Sequence, residues 1–184
     1  EEQMWNESRT RQAEAFDLLT SAIEWCDAAG LRVVVDLHIL RSHHFNDEET
    51  PALYTDQAAR EQFAWMWTDL SRVLGGYPTD LVAYELLNEA VAPTDEQWNE
   101  TWKLPFAAIR ETEPERTIVL GSNHFNQYQT YPALEVPKDD HLILTFHYYN
   151  PMFITHYTAR WWSAGGSYAG PIRYPGKPIP DSQH

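Results

Sequence analysis

Four short apolar runs constrain this chain more than anything else in it. They are Leu31-Arg32-Val33-Val34-Val35-Asp36-Leu37-His38, Leu81 to Leu87, Thr117 to Gly121 and His141 to His147. Each is too short for a helix and largely apolar, and the first reads as a strand buried on both faces. Helical periodicities fill the spaces between them. Phe16, Leu19, Ile23 and Cys26 recur at helical spacing within 11–29, and Gly30 stands where a C′ glycine belongs. Phe63, Met66, Leu70 and Val73 mark one face of 57–74, which Gly75-Gly76 should end. Thr94 and Gln97 form a capping box ahead of Trp98, Trp102, Phe106 and Ile109. Pro105 is expected to kink or split that helix. Buried strands alternating with amphipathic helices predict a parallel sheet covered by helices.

Polar groups collect where these strands end. His38 closes the first, Asn88-Glu89 follows the second, Asn123-His124 the third, and His147 with Tyr149 the fourth. A doubly wound sheet rarely needs residues from every strand to converge. A (β/α)8 barrel does, because its active site is the ring of C-terminal strand ends. The fold class read from the sequence is therefore α/β, a partial (β/α)8 TIM barrel. A whole barrel needs eight strands and about 250 residues, and this chain shows four strands in 184 residues. Residues 1–184 are expected to form one incomplete barrel domain. Within it, 150–184 reads as a long aromatic loop.

Charge and composition narrow the ligand. The formal charge is -14, which disfavours a phosphate backbone. With 8 Trp, 10 Tyr and 7 Phe, the chain is equipped to stack on neutral, polyhydroxylated rings, although most such side chains serve packing. A poly- or oligosaccharide is the expected partner, with no nucleic acid and no membrane. Cys26 is the only cysteine, so a multi-cysteine metal site is excluded; it is expected to be a small buried hydrophobe. No apolar stretch approaches the ~18 residues of a membrane span, and the acidic start Glu1-Glu2-Gln3-Met4 is unlike a signal peptide.

Glu89 is the leading candidate for chemistry. Strand alternation puts Glu85, Leu87 and Glu89 on one face, but four residues separate the two acids, about 13 Å at ~3.3 Å per residue. Retaining glycosidases need carboxyl groups ~5–5.5 Å apart and inverting ones ~6.5–9.5 Å. Glu85 is too deep for either role and reads as a structural carboxylate paired with a basic group. His38, with His43 and His44 nearby, raises a metal-dependent hydrolase as a rival. Zinc, however, prefers three converging ligands with outer support, and no His-x-His or His-Glu-x-x-His spacing occurs, so no metal or cofactor is expected. At the fourth strand, alternation places His147 and Tyr149 on one side, suited to holding a carboxylate ionised by hydrogen bonding.

Three of these segments, in order, resemble glycoside hydrolase family 5, retaining (β/α)8 barrels that include endoglucanases and mannanases. Val34-Val35-Asp36-Leu37-His38-Ile39-Leu40 resembles the third-strand motif, Tyr84-Glu85-Leu86-Leu87-Asn88-Glu89 the fourth-strand signature, and Phe146-His147-Tyr148-Tyr149 the sixth-strand His-x-Tyr motif. Gly121-Ser122-Asn123 also fits. The resemblance implies that Glu89 is the acid/base catalyst and that Asn88 binds the sugar 2-hydroxyl. It implies further that His38 contacts that sugar and that His147 and Tyr149 organise the site. Asn123, His124, Trp161 and Trp162 are further substrate-binding candidates, with Phe45 and Tyr128 as additional stacking platforms.

The departures from the pattern are informative. Ala90 stands where the family often has proline. The family nucleophile is a glutamate after the seventh strand, yet no Glu follows Glu135 and the only acid after His147 is Asp181. By these matches the chain spans about strands three to six, an internal segment. The expected function is retaining hydrolysis of a β-linked glycan of cellulose, β-glucan or mannan type, with the nucleophile missing and this chain alone inactive. A non-catalytic fragment or glycan-binding remnant is the alternative, and self-association through open sheet edges would follow from truncation. The resemblance also suggests a secreted or periplasmic protein.

Overall fold

The computed structural model describes residues 2–45, 49–163 and 168–178. The backbone separates into two compact units, residues 1–146 and 147–184. The first unit holds four strands, β1 (Val33–Asp36), β2 (Val82–Glu85), β3 (Ile118–Gly121) and β4 (Leu142–Thr145). They form one sheet in the order β1-β2-β3-β4, and every neighbouring pair is parallel. Register aligns Asp36 with Glu85, Glu85 with Val119, and Gly121 with Thr145. The C-terminal strand ends therefore open toward the same side.

Helices α1 (Ala13–Ala28), α2 (Gln57–Leu74) and α3 (Asp95–Thr112) supply the crossovers. Gly30 takes φ +71 just past α1, a left-handed stop that a side chain would resist. Asp56 caps α2 by accepting from the Ala58 N–H, and Thr94 caps α3 by accepting from the Gln97 N–H at 3.3 Å. Pro105 does not split α3, which runs through it as one helix. The proline ring is buried on the same face as Trp98, Trp102 and Ile109, and that packing outweighs a local cost of ~3 kcal/mol. Cys26 is half-buried on α1 rather than fully buried.

The strands are four residues long, shorter than the apolar runs that announced them. Leu37, Leu86 and Leu87 lie beyond the ladders yet remain buried. They belong to the rim loops, so their apolar character reflects burial of those loops and not extra strand. Tryptophans tie the helices to this rim. The Trp67 indole of α2 donates to the Leu86 carbonyl at 2.9 Å, and the Trp98 indole of α3 donates to the Gly121 carbonyl at 3.0 Å. At the opposite end, the buried Arg116 guanidinium donates to the Glu113 carboxylate and to the Tyr77, Pro78 and Val82 carbonyls. Glu113 in turn accepts from the Tyr84 hydroxyl and from Ser71. One end of the sheet is thus a closed polar lock, and the other is left open for chemistry.

Burial is uneven across the sheet. Every residue of β3 is buried, whereas Val34 of β1 and Ile143 and Leu144 of β4 are exposed. β1 and β4 each pair on one edge only among the described residues. In the second unit a single helical turn, Met152–Thr155, is surrounded by aromatic contacts, including Phe153 with Trp162 and His156 with Trp161. No helix of the described residues is long and apolar enough to cross a membrane.

Candidate active site

The loop leaving β2 is the organising feature of the open end. Glu89 takes φ +50, a left-handed conformation that costs a non-glycine residue on the order of 1–2 kcal/mol. The peptides around it are pinned from several directions. The Asn88 N–H donates to Leu37 of the neighbouring strand end, and the Phe125 N–H donates to the Ala90 carbonyl. The Val91 N–H donates to the Tyr54 hydroxyl at 3.0 Å. The Ala92 N–H donates to the Asn123 side-chain oxygen, whose amide returns a bond to the Ala92 carbonyl.

His38 stands one strand over, beside Asn88. Its Nδ1–H donates to the Asp36 carboxylate at 2.9 Å, leaving Nε2 to accept from the Asn88 side-chain amide at 3.3 Å. This relay fixes which edge of the Asn88 amide faces His38. Asn88 is buried while Glu89 is half-buried. The pair therefore combines an orienting residue held inside the rim with a carboxylate that solvent reaches.

Beneath the loop lies His43, fully buried. Its Nε2 lies 3.2 Å from the Asn88 carbonyl, which can only accept, so Nε2 carries the proton. Nδ1 accepts from the Tyr54 hydroxyl at 2.9 Å. Burial pushes His43 down to about 4 and pushes the Tyr54 phenol up, so a neutral imidazole faces a neutral phenol. With both nitrogens engaged, His43 is a structural partner of the loop rather than a metal ligand. Among the described residues, no group of three or more His, Cys, Asp or Glu side chains could hold a metal ion.

The remaining candidates fall in different places. Asn123 is 1% exposed and its amide also donates to Asp95 at 3.1 Å, so it holds the loop and turns no face to solvent. His124 is exposed, in a turn where His124, Phe125 and Asn126 are all left-handed. Gly121 makes that turn possible, because a Cβ there would meet the Asn126 amide at 2.4 Å. His147 and Tyr149 lie in the second unit with ring centroids 5.9 Å apart and Tyr149 packed on His156. Trp161 and Trp162 belong to the same unit, with Trp161 widely exposed. Glu85 sits within β2, half-buried and four residues before Glu89.

Sequence reading missed Tyr54 and Phe125. Tyr54 lies in an irregular stretch with no periodicity to mark it. Phe125 gains meaning only opposite Phe45, whose ring centroid is 6.0 Å away. These two rings, with His44, Pro51, Val91 and Pro93, help line a cleft of about 290 Å³ adjoining the loop after Glu89.

A parallel sheet with covering helices, whose C-terminal rim presents an asparagine–glutamate pair, a strand-end histidine and flanking aromatic rings, has the architecture of part of an α/β barrel. Residues 2–171 match the cellulase model, glycosyl hydrolase family 5, and the chain belongs to that family. It is 30% identical to endoglucanase C of Acetivibrio thermocellus over 164 residues, covering 89% of this chain and 48% of that protein. Cellodextrinase A of Ruminococcus flavefaciens is 33% identical over 153 residues, covering 80% and 44%. The Thermotoga maritima Cel5A structure in complex with cellobiose superposes with a TM-score of 0.76 at 27% identity, over 94% of this chain and 53% of that one. The cellulose synthase subunit Z of Clostridioides difficile, at 22% identity and TM-score 0.78, has the same fold over 97% of this chain and 55% of that one. The chain spans about half the length of the curated relatives it matches.

The buried His43 makes the rim acid-sensitive. The unfolded chain takes up the histidine proton near its ordinary value of ~6.5, and the folded chain only near 4. Between those values the unfolded state binds more protons. This contribution to stability is therefore complete above about pH 6.5 and falls by on the order of 3 kcal/mol as pH drops to 4. Urea unfolding at pH 7 and pH 4.5 should show a clearly smaller acid loss in His43→Gln than in the parent. An equal loss in both would place the sensitivity elsewhere.

Proposed function

We propose that this chain supplies the acid/base half of a retaining β-glycan hydrolase, with Glu89 as the catalytic acid and base. The observation that carries this reading is the position of Glu89 on the C-terminal rim, beside an asparagine whose amide is already oriented by His38 and Asp36. Family membership supports it, as do relatives named endoglucanase and cellodextrinase. In the first step a partner carboxylate attacks the anomeric carbon while protonated Glu89 gives its proton to the glycosidic oxygen, and that bond breaks. In the second step Glu89 takes a proton from water, the water oxygen bonds to the anomeric carbon, and the partner carboxylate leaves. Asn88 would hold the 2-hydroxyl of the sugar being cut, with His38 contacting the same ring. His147 and Tyr149 would organise the nucleophile's side, and Trp161 and Trp162 would offer stacking faces. The partner carboxylate comes from outside residues 1–184, and a polymeric glycan substrate favours a secreted or periplasmic setting.

A second reading is favoured by the open edges. β1 and β4 have unpaired edges among the described residues, and Val34, Ile143, Leu144 and Phe146 are exposed apolar groups. Taken alone, the 184-residue chain would then be a non-catalytic piece that associates with itself or with complementary strands.

In the complete protein, Glu89→Ala should lower turnover of unactivated β-glucan by at least ~1,000-fold, in line with loss of general acid catalysis and positioning. Release of a dinitrophenolate leaving group in the first turnover should be largely spared. Full activity of Glu89→Ala on unactivated glycan would overturn the assignment. For the isolated chain, sedimentation velocity should show concentration-dependent association. A monomer that unfolds cooperatively would contradict the second reading.

A further inference from the structure

We propose that His43 and Tyr54 form a buried positioning pair that sets where the Glu89 carboxylate stands, a role that rests on Glu89 being the acid/base. Neither side chain can reach a sugar, since His43 is 0% and Tyr54 1% exposed. Their influence must pass through the backbone, and they hold it on either side of Glu89. His43 Nε2–H grips the Asn88 carbonyl at 3.2 Å. That carbonyl belongs to the peptide whose plane defines φ of Glu89, the torsion held at +50. Tyr54 accepts the Val91 N–H at 3.0 Å, and the same peptide's Ala90 carbonyl accepts the Phe125 N–H at 2.9 Å. The two clamps are one unit, because the Tyr54 hydroxyl donates to His43 Nδ1 at 2.9 Å.

The pair is itself fixed from several directions. The backbone of His43 exchanges hydrogen bonds with Leu40 in both directions, and the Leu53 N–H donates to Ser42. The Tyr54 carbonyl accepts from Gln97 of α3 and Arg60 of α2. His43 and Tyr54 therefore transmit the packing of both covering helices to the peptides flanking Glu89. If Tyr54 loses its hydroxyl, the Val91 N–H loses its acceptor and His43 its donor. Glu89 is then free to relax toward the right-handed region, which swings its carboxylate. A displacement of about 1 Å in a reacting group can cost on the order of 100-fold in rate.

The test compares Tyr54→Phe, His43→Leu and His43→Gln in the complete protein, with Glu89→Ala alongside. Gln can donate to the Asn88 carbonyl and accept from Tyr54, so it keeps the geometry. Tyr54→Phe should lower kcat on unactivated β-glucan by about 10- to 100-fold with KM changed less than about threefold, while first-turnover dinitrophenolate release stays within about threefold. His43→Leu should behave alike, and His43→Gln should recover most of the loss. A merely structural role would depress both substrates together. If His43→Leu or Tyr54→Phe fails to fold, His43→Gln carries the test: near-parental activity on unactivated glycan supports the pair, and a selective loss there overturns it. Parental substrate ratios in Tyr54→Phe and His43→Leu, with Glu89→Ala selectively impaired, would also overturn it. Full activity of Glu89→Ala would instead overturn the acid/base reading on which the pair depends.

Discussion

Everything at the open end depends on one residue held in an unfavourable torsion. Glu89 at φ +50 would relax if its neighbours let go, and the molecule surrounds it with buried donors and acceptors that do not. The flanking peptides are bonded to Leu37 after β1, to Tyr54 and His43 from the β1–α2 connection, and to Phe125 and Asn123 after β3. Strain at a functional residue persists only when the surroundings over-determine it. Three successive strand ends cooperate in doing so here, which is why the parallel register of the sheet matters to the chemistry.

The two ends of the sheet divide the work. At the N-terminal end, Arg116 and Glu113 form an ion pair whose remaining hydrogen-bonding groups are matched to carbonyls and hydroxyls. A buried ion pair stabilises only when such matching is good, and removing either partner would strand the other. At the C-terminal end the polar groups are instead arranged in relays, Asp36 to His38 to Asn88 and Tyr54 to His43 to Asn88. Both relays converge on one asparagine, through its side chain and through its carbonyl. Orientation of Asn88 and placement of Glu89 are consequently a single structural problem with a single solution.

Much of this was legible in the sequence. The alternation of short apolar runs with amphipathic helices predicted parallel strands, and α2 falls on the predicted 57–74. Asn88-Glu89 and His38 could be located at the rim because each stands where an apolar run gives way to polar residues. Other features could not be read. The apolar character of Leu37, Leu86 and Leu87 records burial, so the strands looked longer than they are. Pro105 argues locally for a break, and only the buried face of α3 overrides it. Asn123 looked like a ligand contact because a polar residue at a strand end is ambiguous between facing substrate and holding a neighbouring loop. His43 stood out only as a neighbour of His38 and His44, and Tyr54 carried no local signal because its partners lie 11 and 37 residues away.

The chain belongs to glycosyl hydrolase family 5, and its rim is built around the Glu89 carboxylate. The direct test is the product formed when azide is added to the Glu89→Ala variant of the complete protein acting on a dinitrophenyl β-cellobioside. If Glu89 is the acid/base of a retaining reaction, azide replaces water on the face Glu89 guards and the product is the β-glycosyl azide. An α-glycosyl azide would make Glu89 the nucleophile, and would contradict its role as the acid/base.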